Sequence, residues 1–371
     1  MIGRDLPVRG PVLAVALLLV APLVAVVAIP VIKGMYASSS GRAPAATPGS
    51  LPASTDAHSF QKGMVFGLFA RDEPGHTDKG LAEMKQLGVD SVSIIIPWVI
   101  ADVRATTMAP RGDMTPSDAS LIYTIRRAHE EGLRVFLMPI LYVDHMEGDE
   151  WRGTLAPSDW SAWFGGYEAF ILHYAELAEA EGVEYLSVGS ELCSTETRTG
   201  DWLRLMGGVR AAYKGRLTYS ANWDHRVELG FAGALDFLGM NAYFKLSDQQ
   251  SPAEQELVDA WKEIVPEIEA WRARTGKPLI LTEVGYPSRQ GAATDPWNYS
   301  ATGAPDPQAQ LRCYRAFRTI WSGEAQVEGV YFYLWWGDGG PEDTGYTPRG
   351  KPAAEVVREW FTQSQRAEKQ P

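Results

Sequence analysis

From Met64 onward, short apolar runs alternate with longer segments in which apolar residues recur every three or four positions. The runs predict strands at Met64–Ala70, Ser91–Ile96, Leu133–Ile140, Val183–Val188, Arg216–Ser220, Leu235–Asn241, within Lys277–Pro287, and at Gly329–Leu334. The longer segments predict helices over Lys79–Leu87, Pro116–Glu131, Ser158–Glu181, Trp202–Lys214, Pro252–Thr275, Pro307–Ser322 and Pro352–Phe361. A weaker helical segment falls near Val227–Gly233. Gly recurs where a helix ends and the next strand begins, a place that favours a residue tolerating positive φ. The strands are short and apolar without strict alternation, as parallel strands covered on both faces should be. Eight such units over about 300 residues match the arithmetic of a (β/α)8 barrel. A doubly wound open sheet is the competing fold. It would carry a Gly-rich phosphate turn after the first strand, and Gly67-Leu68-Phe69-Ala70-Arg71 is not one.

Ahead of the barrel, residues 11–32 form an uncharged run rich in Val, Ala and Leu. It is long enough to cross a bilayer as a helix. We expect a membrane anchor there, with residues 1–10 cytoplasmic and the bulk of the chain outside. A long cleaved signal sequence and a secreted product form the alternative. Residues 33–59 read as a flexible linker, since Ser, Ala, Pro and Gly dominate it and no apolar periodicity remains. The globular domain is expected over 60–363, with a disordered tail at 364–371.

Composition narrows the function. The net charge of −12 argues against a nucleic-acid partner, whose phosphates call for Lys and Arg. Thirteen Trp and 15 Tyr suit sugar binding, where ring faces stack on pyranose C–H surfaces, although Trp is also a core residue. Cys193 and Cys313 lack CxxC spacing, and the His residues show no HExxH arrangement. No metal site and no cofactor are therefore expected. The two cysteines form one disulfide or two buried thiols; a nucleophilic Cys193 would need a His beside it, and none is evident.

Two carboxylates carry the chemistry. Glu191 closes Val183-Glu184-Tyr185-Leu186-Ser187-Val188-Gly189-Ser190-Glu191, and Glu283 closes Leu279-Ile280-Leu281-Thr282-Glu283 before Val284, Gly285, Tyr286 and Pro287. These are the ends of the fourth and seventh strands, and in a closed barrel the C-terminal strand ends face one cavity. A glycosidase needs one carboxyl as proton donor and another as nucleophile or base. The plain alternative for each is a rim carboxylate paired with Arg or Lys.

The strings Val188-Gly189-Ser190-Glu191-Leu192, Ser220-Ala221-Asn222-Trp223-Asp224, Leu238-Gly239-Met240-Asn241-Ala242-Tyr243-Phe244 and Leu281-Thr282-Glu283-Val284-Gly285-Tyr286 resemble clan A of the glycoside hydrolases. Over about residues 62–362 the chain is most similar to family 113, whose known members include β-mannanases. The resemblance implies a retaining mechanism, with Glu191 as acid/base and Glu283 as nucleophile. It departs at Ser190, where many clan members have Asn, and it lacks the family's expected His by Tyr142. Trp151-Arg152-Gly153 is similar to the family's loop after the third strand, which makes Trp151 a candidate. Tyr243 is placed to hydrogen-bond the nucleophile. Asn222, Trp223, Trp98 and Tyr142 are candidates to line the cleft. Of Trp335 and Trp336, one is expected to floor the subsite and the other to pack outward. The expected reaction is hydrolysis of a β-linked polysaccharide or oligosaccharide. A non-catalytic carbohydrate-binding barrel and a transglycosylase with the same carboxylate pair are the alternatives.

Overall fold

The computed structural model describes residues 60–69, 74–322 and 327–367. The expected anchor, the linker and residues 368–371 of the expected tail lie outside these residues, whereas 364–367, expected to be disordered, continue the last helix. No helix among the described residues is long and apolar enough to cross a membrane.

Eight strands alternate with helices: β1 (Gln61–Phe66), α1 (Pro74–Gln86), β2 (Ser91–Ile100), α2 (Asp118–Glu130), β3 (Arg134–Val143), α3 (Trp160–Glu181), β4 (Tyr185–Ser190) and α4 (Thr199–Ala212). The order continues with β5 (Arg216–Asn222), β6 (Leu238–Asn241), α5 (Glu254–Thr275), β7 (Leu279–Val284), α6 (Pro307–Trp321), β8 (Gly329–Trp335) and α7 (Ala353–Ala367). Between β5 and β6 the segment expected to be weakly helical is one 3₁₀ turn, Ala232–Ala234. Each strand pairs in parallel with the next, and β8 returns to β1, so the sheet closes into a barrel. A two-residue antiparallel strand, Met108–Ala109, adds to the top of β2.

Two apolar layers form because the strands are covered on both faces. The barrel lumen is filled by Val65, Ile95, Phe136, Met138, Tyr185, Phe237, Ile280 and Tyr331. A larger layer, including Leu137, Trp163, Tyr167, Trp202, Trp261 and Phe317, fills the space between strands and helices. Gly182 and Gly276 end α3 and α5 with φ of +70° and +64°, a conformation that costs a residue with a Cβ about 1–2 kcal/mol. Gly215 plays no such part; α4 ends at Tyr213 in extended conformation.

The strand boundaries depart from expectation in two instructive places. β1 starts at Gln61, because the buried Gln61 side chain accepts a 2.5 Å hydrogen bond from Tyr331 inside the barrel. β2 runs through Pro97 to Ile100. Proline is tolerated there because β2 pairs with β1 only as far as Ile94, while its other edge stays paired with β3 to Val143. Cys193 and Cys313 are free thiols, which removes the disulfide option.

Candidate active site

Glu283 lies on the last turn of the β7 ladder, opposite Asn241 of β6, and its carbonyl accepts from the Ala242 amide at 2.7 Å. Its side chain is 4 % exposed. The Tyr243 hydroxyl donates to its Oε2 at 2.7 Å. Gly285 follows because a Cβ there would sit 2.6 Å from the Tyr333 carbonyl oxygen.

Glu191 begins the loop after β4 and is held in a left-handed conformation, φ +56°. Such a backbone costs on the order of 1–3 kcal/mol for a residue with a Cβ, so its surroundings must impose it. They do so through two hydrogen bonds: Glu191 N donates to the Ser220 carbonyl at 2.9 Å, and Leu192 N to the Tyr219 hydroxyl at 2.9 Å. Tyr219 donates in turn to buried Glu196 at 2.8 Å, and Glu196 meets His225 Nδ1 at 2.7 Å. Beneath this turn Gly189 admits Trp202 and Tyr219, whose rings would lie 2.8–2.9 Å from a Cβ.

The Glu191 carboxylate faces inward, 6 % exposed. Asn241 Nδ2 donates to its Oε1 at 2.9 Å and to Ser190 Oγ at 3.1 Å. Thr282, next to Glu283, holds the Asn241 amide by donating to its Oδ1 at 2.9 Å. Arg152, on the loop after β3, donates to Glu191 Oε2 at 2.5 Å. One amide from β6 thus ties the two glutamate-bearing strands together. Ser190, standing where many clan members carry Asn, accepts from that same amide.

Burial, and then the nearby charge of Glu191, push the Glu283 carboxyl up to about 7, while the Tyr243 hydrogen bond and Arg152 pull the other way. Burial and the Glu283 charge push the Tyr243 phenol well above its ordinary value, so it stays a donor at any working pH. Burial and the carboxylates of Glu196, Glu191 and Asp224 push the Cys193 thiol up, which leaves no thiolate nucleophile.

Among the described residues one group has metal-ligand spacing: Cys193, Glu196 and His225, with ligand atoms within 4.8 Å of one another. Both Glu196 oxygens are already engaged, one by Tyr219 and one by His225, so the cluster reads as a support for the Glu191 turn.

The aromatic candidates divide. Asn222 is buried at the end of β5, in register with Asn241, and donates to Asp224 at 2.5 Å. Trp223 packs against both apolar layers at the rim. Trp336 lies against the lumen cluster, edge-on to Phe69 at 5.1 Å. Trp335 packs outward, its Nε1 3.2 Å from Glu83 of α1, which settles which of the pair turns away. Trp98 does not line the cleft. β2 continues through it, so pleating turns it away from the lumen that Ile95 enters. Its ring packs at a tilt against Phe170, centroids 4.7 Å apart, and its Nε1 donates to Tyr174 of α3. Tyr142 lies half-buried with Arg111 over its ring at 5.9 Å. The Trp151 indole folds back over Gly153, beside Arg152.

Sequence reasoning passed over Asn241, the ion pair of Arg152, and Tyr333, which stands close to Glu283, Arg152 and Glu191. A buried amide ending an apolar strand was the available signal for Asn241.

A closed barrel that carries two buried glutamates at the ends of its fourth and seventh strands defines a glycoside hydrolase of the large barrel clan, whose enzymes are retaining. The pattern of Glycoside Hydrolase Family 113 matches residues 64–350, and the chain belongs to that family. It is similar to a family 113 β-1,4-mannanase solved as a complex, with 24 % identity over 82 % of this chain and 99 % of that one, TM-score 0.73. A family 113 β-mannanase from Alicyclobacillus acidocaldarius, solved with ManMIm, shares 28 % identity over 82 % and 98 % of the two chains, TM-score 0.71. A β-glucuronidase from Ruminococcus gnavus, 14 % identical over 82 % of this chain and 50 % of that one with TM-score 0.58, shares the fold. No curated protein matches the chain.

Proposed function

We propose that the chain cleaves a β-linked polysaccharide of the mannan type by double displacement, with Glu283 as nucleophile and Glu191 as acid/base. The observation that carries this reading is Asn241, which ties Glu191 to the strand that bears Glu283. The mannan class comes from the titles of the similar family 113 structures.

In the first step Glu283 attacks the anomeric carbon while Glu191 gives its proton to the departing glycosidic oxygen. The C–O bond breaks and an ester to Glu283 forms. Glu191, now a carboxylate, takes a proton from water, whose oxygen displaces Glu283 and restores the starting configuration. Arg152 donates to Glu191 Oε2, so a leaving-group oxygen that receives its proton from that atom has to displace the guanidinium. The buried Arg152 Nε has no hydrogen-bond partner among the described residues, which leaves a donor for a sugar hydroxyl.

The test is product stereochemistry. Full-length protein acting on β-1,4-mannan should release the β-anomer first, followed by slow mutarotation in the proton NMR spectrum. An α-anomer appearing first overturns double displacement. Cleavage of another β-glycan but not mannan overturns only the substrate.

The apolar run at 11–32 supports anchoring with the barrel outside the cytoplasm. The protein should then stay with membranes through an alkaline wash and leave them when residues 11–32 are deleted. Release of the full-length chain by that wash would overturn the anchor.

A further inference from the structure

Single exposed apolar residues are ordinary, but neighbouring exposed aromatics that form one patch mark binding sites. The loop joining β7 to α6 exposes two: Trp297, 42 % exposed, and Tyr299, 69 % exposed. Trp297 is not loose. Its indole stacks on Trp223 at the end of β5, with centroids 4.9 Å apart and planes 26° from parallel. Trp223 is backed edge-on by Phe244 at 5.5 Å. The loop beneath is fastened by a buried cation: Arg289, 5 % exposed, donates to Asp295 at 3.0 Å and to the Asn298 carbonyl at 3.3 Å. Asn298 Nδ2 donates to the other Asp295 oxygen at 3.1 Å. The Tyr346 hydroxyl donates to the Pro296 carbonyl at 2.6 Å, one residue before the exposed indole. An aromatic face held this firmly loses little entropy when something stacks on it.

The platform is continuous with the carboxylate site. Tyr346, which fixes Pro296, meets the ring of Tyr243 at 6.3 Å, and Tyr243 bonds Glu283. Trp223 follows Asn222, whose register partner Asn241 bonds Glu191. From Trp297 the contacts reach Glu283 only by way of Pro296, Tyr346 and Tyr243 among those described, which sets the platform apart from the groups that touch Glu283. We propose that Trp297, seated on Trp223 and flanked by Tyr299, is a binding platform for a pyranose ring of the same β-glycan, outside the residues that flank the cleaved bond. The ligand class is a polymer or long oligosaccharide, cut internally, because a short substrate cannot occupy both places. The inference rests on the proposed glycan-cleaving function.

Two measurements separate the two readings. Tryptophan fluorescence of the Glu283→Gln variant, titrated with mannohexaose and mannobiose, reads binding without turnover. Trp297→Ala in that background should weaken mannohexaose by about tenfold, about 1.4 kcal/mol, while Tyr299→Ala weakens it less. In the active enzyme the ratio of kcat/KM on mannohexaose to that on an aryl β-mannoside should fall by a similar factor. Leu203→Ala, an exposed apolar residue on α4, should leave the ratio as it is. Unchanged binding and an unchanged ratio in Trp297→Ala overturn the platform while wild-type cleavage keeps the function. Trp297-dependent mannohexaose binding by a wild-type chain that cleaves nothing keeps the platform and overturns hydrolysis. A chain that binds no mannohexaose at all overturns both for this glycan.

Discussion

The two glutamates stand at equivalent strand ends, yet the barrel treats them in opposite ways. Glu283 lies within β7, where the ladder shifts register on both sides, and is enclosed by aromatic rings, with the Tyr243 hydroxyl donating to its carboxylate. Its setting is low in dielectric, and the consequence is a carboxyl raised to about 7. Glu191 sits on a strained turn and is met by polar groups on both oxygens, Asn241 on one and Arg152 on the other. Its turn rests on a polar stack running from Leu192 N through Tyr219 and Glu196 to His225. One carboxyl is set by what surrounds it and the other by what aims it. A nucleophile gains from the first arrangement, since a desolvated carboxylate is poorly stabilised before it attacks. A proton donor gains from the second, since its effect depends on geometry toward the departing oxygen.

The contrast breaks most visibly when each carboxyl is removed. Glu283→Gln should lower kcat on mannan by at least about 10⁴-fold, as loss of a covalent nucleophile does. Glu191→Gln should cost about 10²–10⁴-fold on mannan, the usual worth of general acid help. On a dinitrophenyl β-mannoside, whose leaving group needs no proton, the Glu191 variant should still give a burst of phenolate and the Glu283 variant none. A burst in the Glu283 variant would reverse the roles.

Arg152→Ala tests the aiming. Moving a reacting group by about 1 Å costs on the order of 10²-fold, and kcat/KM should drop by about that much. Arg152 also helps hold the Glu283 carboxyl down, so its removal should move the basic limb of the kcat/KM profile to higher pH. Arg152→Lys should recover part of the rate, since it keeps the charge and loses the fork. A faster Arg152→Ala enzyme would mean that the guanidinium only obstructs Glu191.

Tyr243→Phe tests the surroundings. The first step needs Glu283 ionised while Glu191 still holds a proton, so kcat/KM should fall as pH rises through about 7, where the last proton leaves the pair. Tyr243 donates to the carboxylate and lowers this value; without the hydroxyl the midpoint moves up. The loss should be about tenfold near pH 6 and small near pH 9, a factor of ten being one unit of midpoint. A pH-independent loss would make Tyr243 a packing residue only.

Much of this site was legible in the sequence because the barrel repeats one local pattern. Short apolar runs, set off by Gly where the preceding helix ends, marked the strands, and the ends of the fourth and seventh placed Glu191 and Glu283 on one rim. What the pattern could not supply was side-chain direction beyond the strand end. Trp98 was expected in the cleft because β2 was expected to stop at Ile96; Pro97 extends the strand and turns the indole onto α3. Trp335 and Trp336 were indistinguishable for the same reason. Asn241 and Arg152 stayed hidden because their partner, Glu191, is 50 and 39 residues away in the chain. Arg152 comes from a loop, whose course has no periodicity to read, and Asn241 from a strand end whose side-chain partner the pattern does not name.

The smallest expected effect concerns stability. A carboxyl raised from its ordinary value to about 7 binds its proton more tightly folded than unfolded. Between the unfolded value and about 7 the folded state therefore holds more protons, and stability falls as pH rises through that window. Above it Glu283 is a buried charge that the fold tolerates for catalysis. Glu283→Gln keeps the shape and removes the charge, so it should raise the melting temperature at pH 8 by a few degrees, at roughly 2–4 °C per kcal/mol for a large domain. At pH 5, where the native carboxyl is already neutral, the two proteins should melt together. Glu191→Gln should do the reverse at pH 8 and melt lower, because it strands the Arg152 guanidinium without its counter-charge. Equal gains from both substitutions would show that the two ends of the barrel are not set up differently after all.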